Sequence, residues 1–256
     1  MSKSFLLGCL AGLLLQTACQ PNASTPAKAP LTAQPHTFSK KSCGAQPEQC
    51  ATVELKYFEF AGGEAAVATA VNDSIRHFML ASVGGNHALP FTTALDSAAA
   101  EFAKGYFEGG SIIPVFIETN TTVLLQNSKI LSLALSEYSY QGGAHSNSAL
   151  ILYTFDLSSG KVAGIADLVK DTTMLLPLLE AGFRKAKEMK PGETLADYLY
   201  PDLKSLPLPQ FVCVVPAGLR FFYNPYEVGP YAIGSTDITL TWEELGKLAD
   251  KSRWIE

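Results

Sequence analysis

Residues 112–141, IIPVFIETNTTVLLQNSKILSLALSEYSYQ, carry no apolar stripe of helical spacing and are dense in β-branched and aromatic side chains. A run of that kind fits a pleated sheet rather than a helix. It predicts three strands, with turns near Asn120 and at Asn127-Ser128. The stretch before it has the other period. Val67, Val71, Ile75, Phe78 and Met79 fall on one stripe within residues 64–82, which predicts a helix. Residues 95–108, alanine-rich with Phe102, Tyr106 and Phe107, predict a second. Upstream, ATVELKYFEF (51–60) alternates as a strand does and stops at Gly62-Gly63.

Downstream, SNSALILYTFDL reads as a strand returning after Gly142-Gly143, and SSGK as the next turn. Residues 165–189 are helical with a break at 170–172, where Asp171 can cap the longer piece; Pro177 falls early in it. PQFVCVVPAGLRFFYN is a hairpin turning at Ala217-Gly218, STDITL a last strand, and TWEELGKLAD a closing helix with Thr241 and Glu244 placed as a capping box. Strands and helices in segregated runs give an α+β fold: a mainly antiparallel sheet flanked by helices, in two closely packed halves.

The N-terminus indicates export. Lys3 precedes eleven apolar residues, Phe5 to Leu15. As a helix they reach roughly 16 Å against a bilayer core of about 30 Å, so they read as a signal peptide (residues 1–18) and not a span. QTAC at 16–19 resembles a lipoprotein processing site with Cys19 as the lipidated residue; Gln16 stands where an aliphatic residue is usual, and plain cleavage after Ala18 is the alternative. Gln20 after that cysteine, rather than aspartate, points to an outer-membrane anchor facing the periplasm. Residues 19–41, rich in Pro, Ala, Ser and Thr, then read as a lipidated disordered tether. The globule starts at 42.

Cys43 and Cys50 enclose GAQPEQ and can close a small disulfide ring, as an exported protein permits. Zinc competes as a reading but lacks a second cysteine pair or a histidine pair nearby. Cys213, in the apolar QFVCVVP, reads as a buried free thiol. The formal charge is −5, and −6 once the segment carrying Lys3 is removed. An acidic chain with no basic stripe argues against nucleic acid and leaves room for a basic protein partner. No G-x-S-x-G, H-E-x-x-H, P-loop or dinucleotide fingerprint occurs, so no catalytic residue, metal or cofactor is assigned.

Two stretches are unusual. In SEYSYQGGAH, Tyr138 and Tyr140 share one strand face, Gly142 and Gly143 permit a sharp reversal, and His145 opens the return, where its ring can donate to a turn carbonyl. In FFYNPYEVGPYAIG, prolines and glycines stiffen a loop bearing Tyr223, Tyr226, Glu227 and Tyr231. Tyrosines lose little entropy on contact and suit a recognition surface or a sugar face; capping the core beneath the loop is the plainer alternative. Glu227 beside His145 could instead move protons.

YSYQGGAHSNSALILYTFDLSSGKVAGIADLV, together with GLRFFYNPYEVGPYAIGSTDITLTWEEL, resembles the C-terminal module of the RsiV-type anti-sigma factors, which also accompanies the catalytic domain of PdaC-type peptidoglycan deacetylases. The shared positions are Tyr140, Gly142, Gly143, Ala144, His145, the turn at 156–160, Pro225-Tyr226-Glu227 and Pro230-Tyr231-Ala232. Residues 50–126 resemble the smaller module that precedes it, although KYFEF lacks the proline often found there. The resemblance implies a PdaC-type module (42–136) followed by an RsiV-like module (137–256), extracytoplasmic and accessory in role. With the N-terminal processing site and the two loops, the reading is a binding lipoprotein whose partner is peptidoglycan or a lysozyme-like protein, contacted by Tyr138, Tyr140, His145, Tyr223, Tyr226, Glu227 and Tyr231. A peptidoglycan-acting hydrolase or deacetylase using His145 and Glu227 is the alternative.

Overall fold

The computed structural model describes residues 30–46, 48–110 and 112–255. The signal segment, Cys19 and the first part of the tether lie outside the described residues.

β1 (Thr32–Cys43) and β2 (Cys50–Ala61) form an antiparallel hairpin, and the Cys43–Cys50 disulfide ties its mouth. α1 (Ala65–Val83) and α2 (Phe91–Glu108) then cross over, so that β3 (Val115–Gln126) runs parallel to β2. β4 (Ile130–Tyr140) and β5 (Asn147–Asp156) follow as an antiparallel meander, giving a five-stranded sheet in the order β1-β2-β3-β4-β5. After α3 (Ile165–Leu168) and α4 (Thr172–Ala186) come β6 (Phe211–Val215), β7 (Gly218–Tyr223) and β8 (Thr236–Thr241), a second, wholly antiparallel sheet. α5 (Trp242–Leu245) and α6 (Lys251–Trp254) end the described chain. The α+β class and the two packed halves are as the sequence predicts.

Several expectations need correction. Residues 32–41 are not tether: β1 pairs with β2 along its whole length. Its inward positions His36, Phe38, Lys40 and Ser42 alternate with exposed ones, but polar side chains fill most of that face. Lysine stems can cover apolar surface, and Pro35 is tolerated because the strand is an edge. Next, no turn occurs near Asn120. β3 runs straight through it, and Asn120 faces solvent opposite Ser136 while Thr119 and Thr121 are buried. The one turn there is at Asn127, whose Oδ1 accepts the N–H groups of Lys129 and Ile130 at 2.8 and 2.9 Å. Finally, a boundary between 136 and 137 would cut β4 in half; the first sheet extends to Asp156.

The local signals elsewhere hold. Asp171 caps α4 by accepting from Thr173 N–H at 2.8 Å, and Thr241 and Glu244 form the capping box of α5. The layers follow from β4. Leu131, Leu133 and Leu135 join the core under α1 and α2, while Ile130 packs with the α4 core and Ala134 with Cys213, Leu152 and Phe222 at the join between sheets. Residues 130–135 are therefore buried on both faces, which explains the near-continuous apolar ILSLAL. From Ser136 onward the strand emerges from under the second sheet. That exit is where the tyrosines stand.

Candidate binding site

Tyr138 and Tyr140 lie on the β4 face opposite α1 and α2, the face the second sheet leaves uncovered there. Across the strand pair stands Phe116 of β3, whose ring is 5.3 Å from that of Tyr138 and 6.5 Å from that of Tyr140. Gly142 and Gly143 turn the chain at φ 86° and 121°, conformations costly for side-chain-bearing residues. The Tyr140 hydroxyl donates to Gly143 O at 3.0 Å and closes the loop.

The second loop is held as tightly. Glu227 N–H donates to Asn224 O at 3.1 Å across Asn224-Pro225-Tyr226-Glu227, and Tyr226 at the third position has φ 67°. Proline second and positive φ third is the pattern of a type II turn, where glycine is the usual third residue. A tyrosine there carries strain of about 1–3 kcal/mol and leaves its ring 51% exposed. The Glu227 carboxylate compensates by accepting Asn224 N–H at 2.8 Å and Gln210 N–H at 3.0 Å.

The two loops meet. The His145 ring stacks on Tyr231 at 3.6 Å and 12°, and Tyr226 lies 5.5 Å from Tyr231. Ser146 joins the three elements. Its carbonyl accepts Tyr231 Oη–H at 2.9 Å, and its hydroxyl accepts Tyr138 Oη–H at 3.1 Å. Because that same carbonyl can only accept, His145 Nδ1, 3.0 Å away, donates to it, and Nε2 lies 3.3 Å from Tyr226 Oη. Asn224 fixes the second unit to the first: its side-chain amide accepts Leu150 N–H at 2.7 Å and donates to Leu150 O at 3.0 Å, as a backbone neighbour of β5 would.

Two of the expected contact residues do other work. Tyr223 is fully buried among the α4 core with its hydroxyl on Pro207 O at 2.7 Å, and burial pushes that hydroxyl's pKa up; it is no part of any surface. It faces the helix because β7 alternates, which puts Leu219, Phe221 and Tyr223 on one side. Glu227 spends one oxygen on the turn at Asn224 N–H and the other on Gln210 N–H, rather than on His145. The remaining five, Tyr138, Tyr140, His145, Tyr226 and Tyr231, form one cluster. Phe116, Ser146 and Asn224 belong with it but have no local signal; strand register and the sheet-to-sheet join recruit them.

Chemically, the cluster offers ring faces, hydroxyls and an imidazole on an open surface, with Tyr138 49% and Tyr226 51% exposed. Such a surface stacks and hydrogen-bonds. Among the described residues no group of three His, Cys, Asp or Glu side chains is placed to hold a metal ion. No helix of the described residues is long and apolar enough to cross a membrane.

The comparisons agree with this architecture. A family profile described as "Deacetylase PdaC" matches residues 45–148, and one described as "Protein of unknown function (DUF3298)" matches residues 166–243. A crystal structure of a DUF3298 family member from Bacteroides fragilis NCTC 9343 is 16% identical with a TM-score of 0.68, covering 87% of this chain and 94% of that one. A DUF3298 family protein from Pseudomonas aeruginosa PAO1 is 14% identical with a TM-score of 0.61, covering 86% and 95%. At such identities the likeness establishes the shared fold. No curated protein matches the chain. The two segments suggest an extracytoplasmic, envelope-associated module. The two profiles match in the order PdaC and then DUF3298, the order that the resemblance implies.

Proposed function

We propose that this protein is a binding module of the cell envelope and that the glycan of peptidoglycan is its ligand, held by Tyr138, Tyr140, His145, Tyr226 and Tyr231. The observation that carries the reading is the Asn224–Glu227 turn. A tyrosine occupies the strained positive-φ position, its ring half-exposed, while the Glu227 carboxylate holds the turn at Asn224 N–H and the Asn224 amide ties it to β5. Strain kept at an exposed aromatic is a mark of a recognition residue. Sugar rings present apolar C–H faces to such rings and hydroxyls to their edges.

The test is co-sedimentation of the protein with insoluble peptidoglycan, alongside capture on immobilised lysozyme. Retention by peptidoglycan that falls by about two- to twelvefold in Tyr226→Ala supports the reading, on the basis that an aromatic contact is worth about 0.5–1.5 kcal/mol. Capture by lysozyme alone, equally sensitive to Tyr226, would transfer the surface to a basic protein partner, which the net charge of −5 favours. Retention by neither removes both.

The location proposed with it is a lipid on Cys19, inserted in the outer membrane and facing the periplasm. Since β1 begins at Thr32, the segment from Cys19 can span at most about 45 Å. A Cys19→Ser variant is expected in the soluble rather than the membrane fraction; continued membrane association would defeat the anchor.

A further inference from the structure

We propose that the ring surface does not end at the two loops but continues across the first sheet, where Phe116, Tyr138 and Tyr140 form a second subsite for the same extended, β-linked glycan strand. The inference rests on the glycan reading above and adds a requirement on ligand length.

The path is continuous. Phe116 to Tyr138 is a ring step of 5.3 Å, and Tyr231 to Tyr226 one of 5.5 Å. Between these pairs the hydroxyls of Tyr138 and Tyr231 both end on Ser146, so one residue separates the two halves. Steps of that size are of the order of one pyranose unit in an extended chain. The rings of Phe116, Tyr138 and Tyr140 are tilted by 44° and 37° rather than sandwiched; Tyr138 is 49% exposed, and Phe116 and Tyr140 are partly exposed.

Phe116 stands out on its own strand. Of the other β3 residues on that face, Glu118, Asn120 and Thr122 are polar and exposed, as expected where a sheet meets water, and the remaining apolar one, Leu124, packs at the join between the sheets. A large aromatic beside them either covers its strand neighbours or serves a ligand. Exposed Ile112 and Ile113, each 55% exposed on the approach to β3, show that this end of the sheet is not shielded by the fold.

A peptide adding itself as a strand is a poor occupant. β3 and β4 are interior strands of the sheet with both edges paired, so only side chains face outward and no backbone template is offered. A neutral, ring-faced polymer matches what remains.

The experiment titrates the protein with N-acetylglucosamine oligomers, from the disaccharide to the hexasaccharide, by calorimetry. Affinity is expected to rise with length. Phe116→Ala should weaken the hexasaccharide by about two- to twelvefold and the disaccharide less, whereas Tyr226→Ala weakens both alike. Phe116→Trp, which keeps a ring on the same cross-strand pair, should retain the length dependence and controls for folding. Equal affinity for all lengths, or a hexasaccharide indifferent to Phe116→Ala, overturns the second subsite while leaving the loop site standing. Absence of binding at every length overturns both.

Discussion

Single residues here divide into those that present and those that hold. Tyr226 presents a ring from a backbone conformation suited to glycine, while Glu227 next to it holds that conformation with one oxygen on Asn224 N–H and spends the other on Gln210 N–H. The sequence placed the two together as one contact surface because the loop is short and polar. It could not tell which side chain turns inward, since that depends on where the free N–H groups of Gln210 and Asn224 end up. Cys213 is the reverse case, legible from its apolar neighbours alone. Burial pushes its thiol from 9.0 up to about 12. The folded state therefore favours the neutral thiol, and its contribution to stability is fully present below pH 9.0, then lost as pH rises toward about 12. Urea midpoints should fall across that alkaline window, and the fall should be shallower in Cys213→Ala. An identical slope in both proteins would show that the thiol takes no part.

Elements were readable where the apolar period was strong. α1, α2 and β5 follow their stripes and alternation, and the Thr241–Glu244 and Asp171 caps fall as local chemistry dictates. β1 was missed because composition argued for disorder: its inward face is His36, Phe38, Lys40 and Ser42, too polar to register as a core strand. It is ordered by pairing with β2 and by the disulfide at the hairpin mouth. Joining cysteines seven apart in sequence restricts the unfolded chain by about 2.5 kcal/mol in the loop-entropy account. The double variant Cys43→Ser/Cys50→Ser is expected to lose about that much in urea unfolding, with amide exchange in β1 rising before that in β4. Uniform loss of protection across the sheet would mean that the bridge supports the whole fold rather than the hairpin.

At the scale of the molecule, two sheets share one buried seam. Thr154 Oγ1 accepts Val214 N–H at 2.8 Å and lies 3.0 Å from Ser132 Oγ, and the Asn224 amide closes a pair of hydrogen bonds onto Leu150. Breaking the second of these leaves backbone groups of β5 unpaired at about 1–3 kcal/mol. Asn224→Ala should therefore lower stability by that amount and, because the turn starting at Asn224 carries Tyr226, weaken ligand retention more than its stability loss alone accounts for. Stability lost with retention intact would separate the seam from the site. The seam also explains why a boundary drawn at 136/137 fails: residues 130–135 are buried on both faces, and one of those faces belongs to the other half.

The sequence by itself determined the α+β class, most of the elements, the hairpin disulfide and the two tyrosine-bearing loops, because period, turn chemistry and caps act over a few residues. Only the tertiary structure decided that the loops touch, that Tyr223 turns inward and that Phe116 joins the rings. Those outcomes depend on register between strands far apart in the chain and on which face of β4 the second sheet leaves bare. No window of neighbouring residues contains that information.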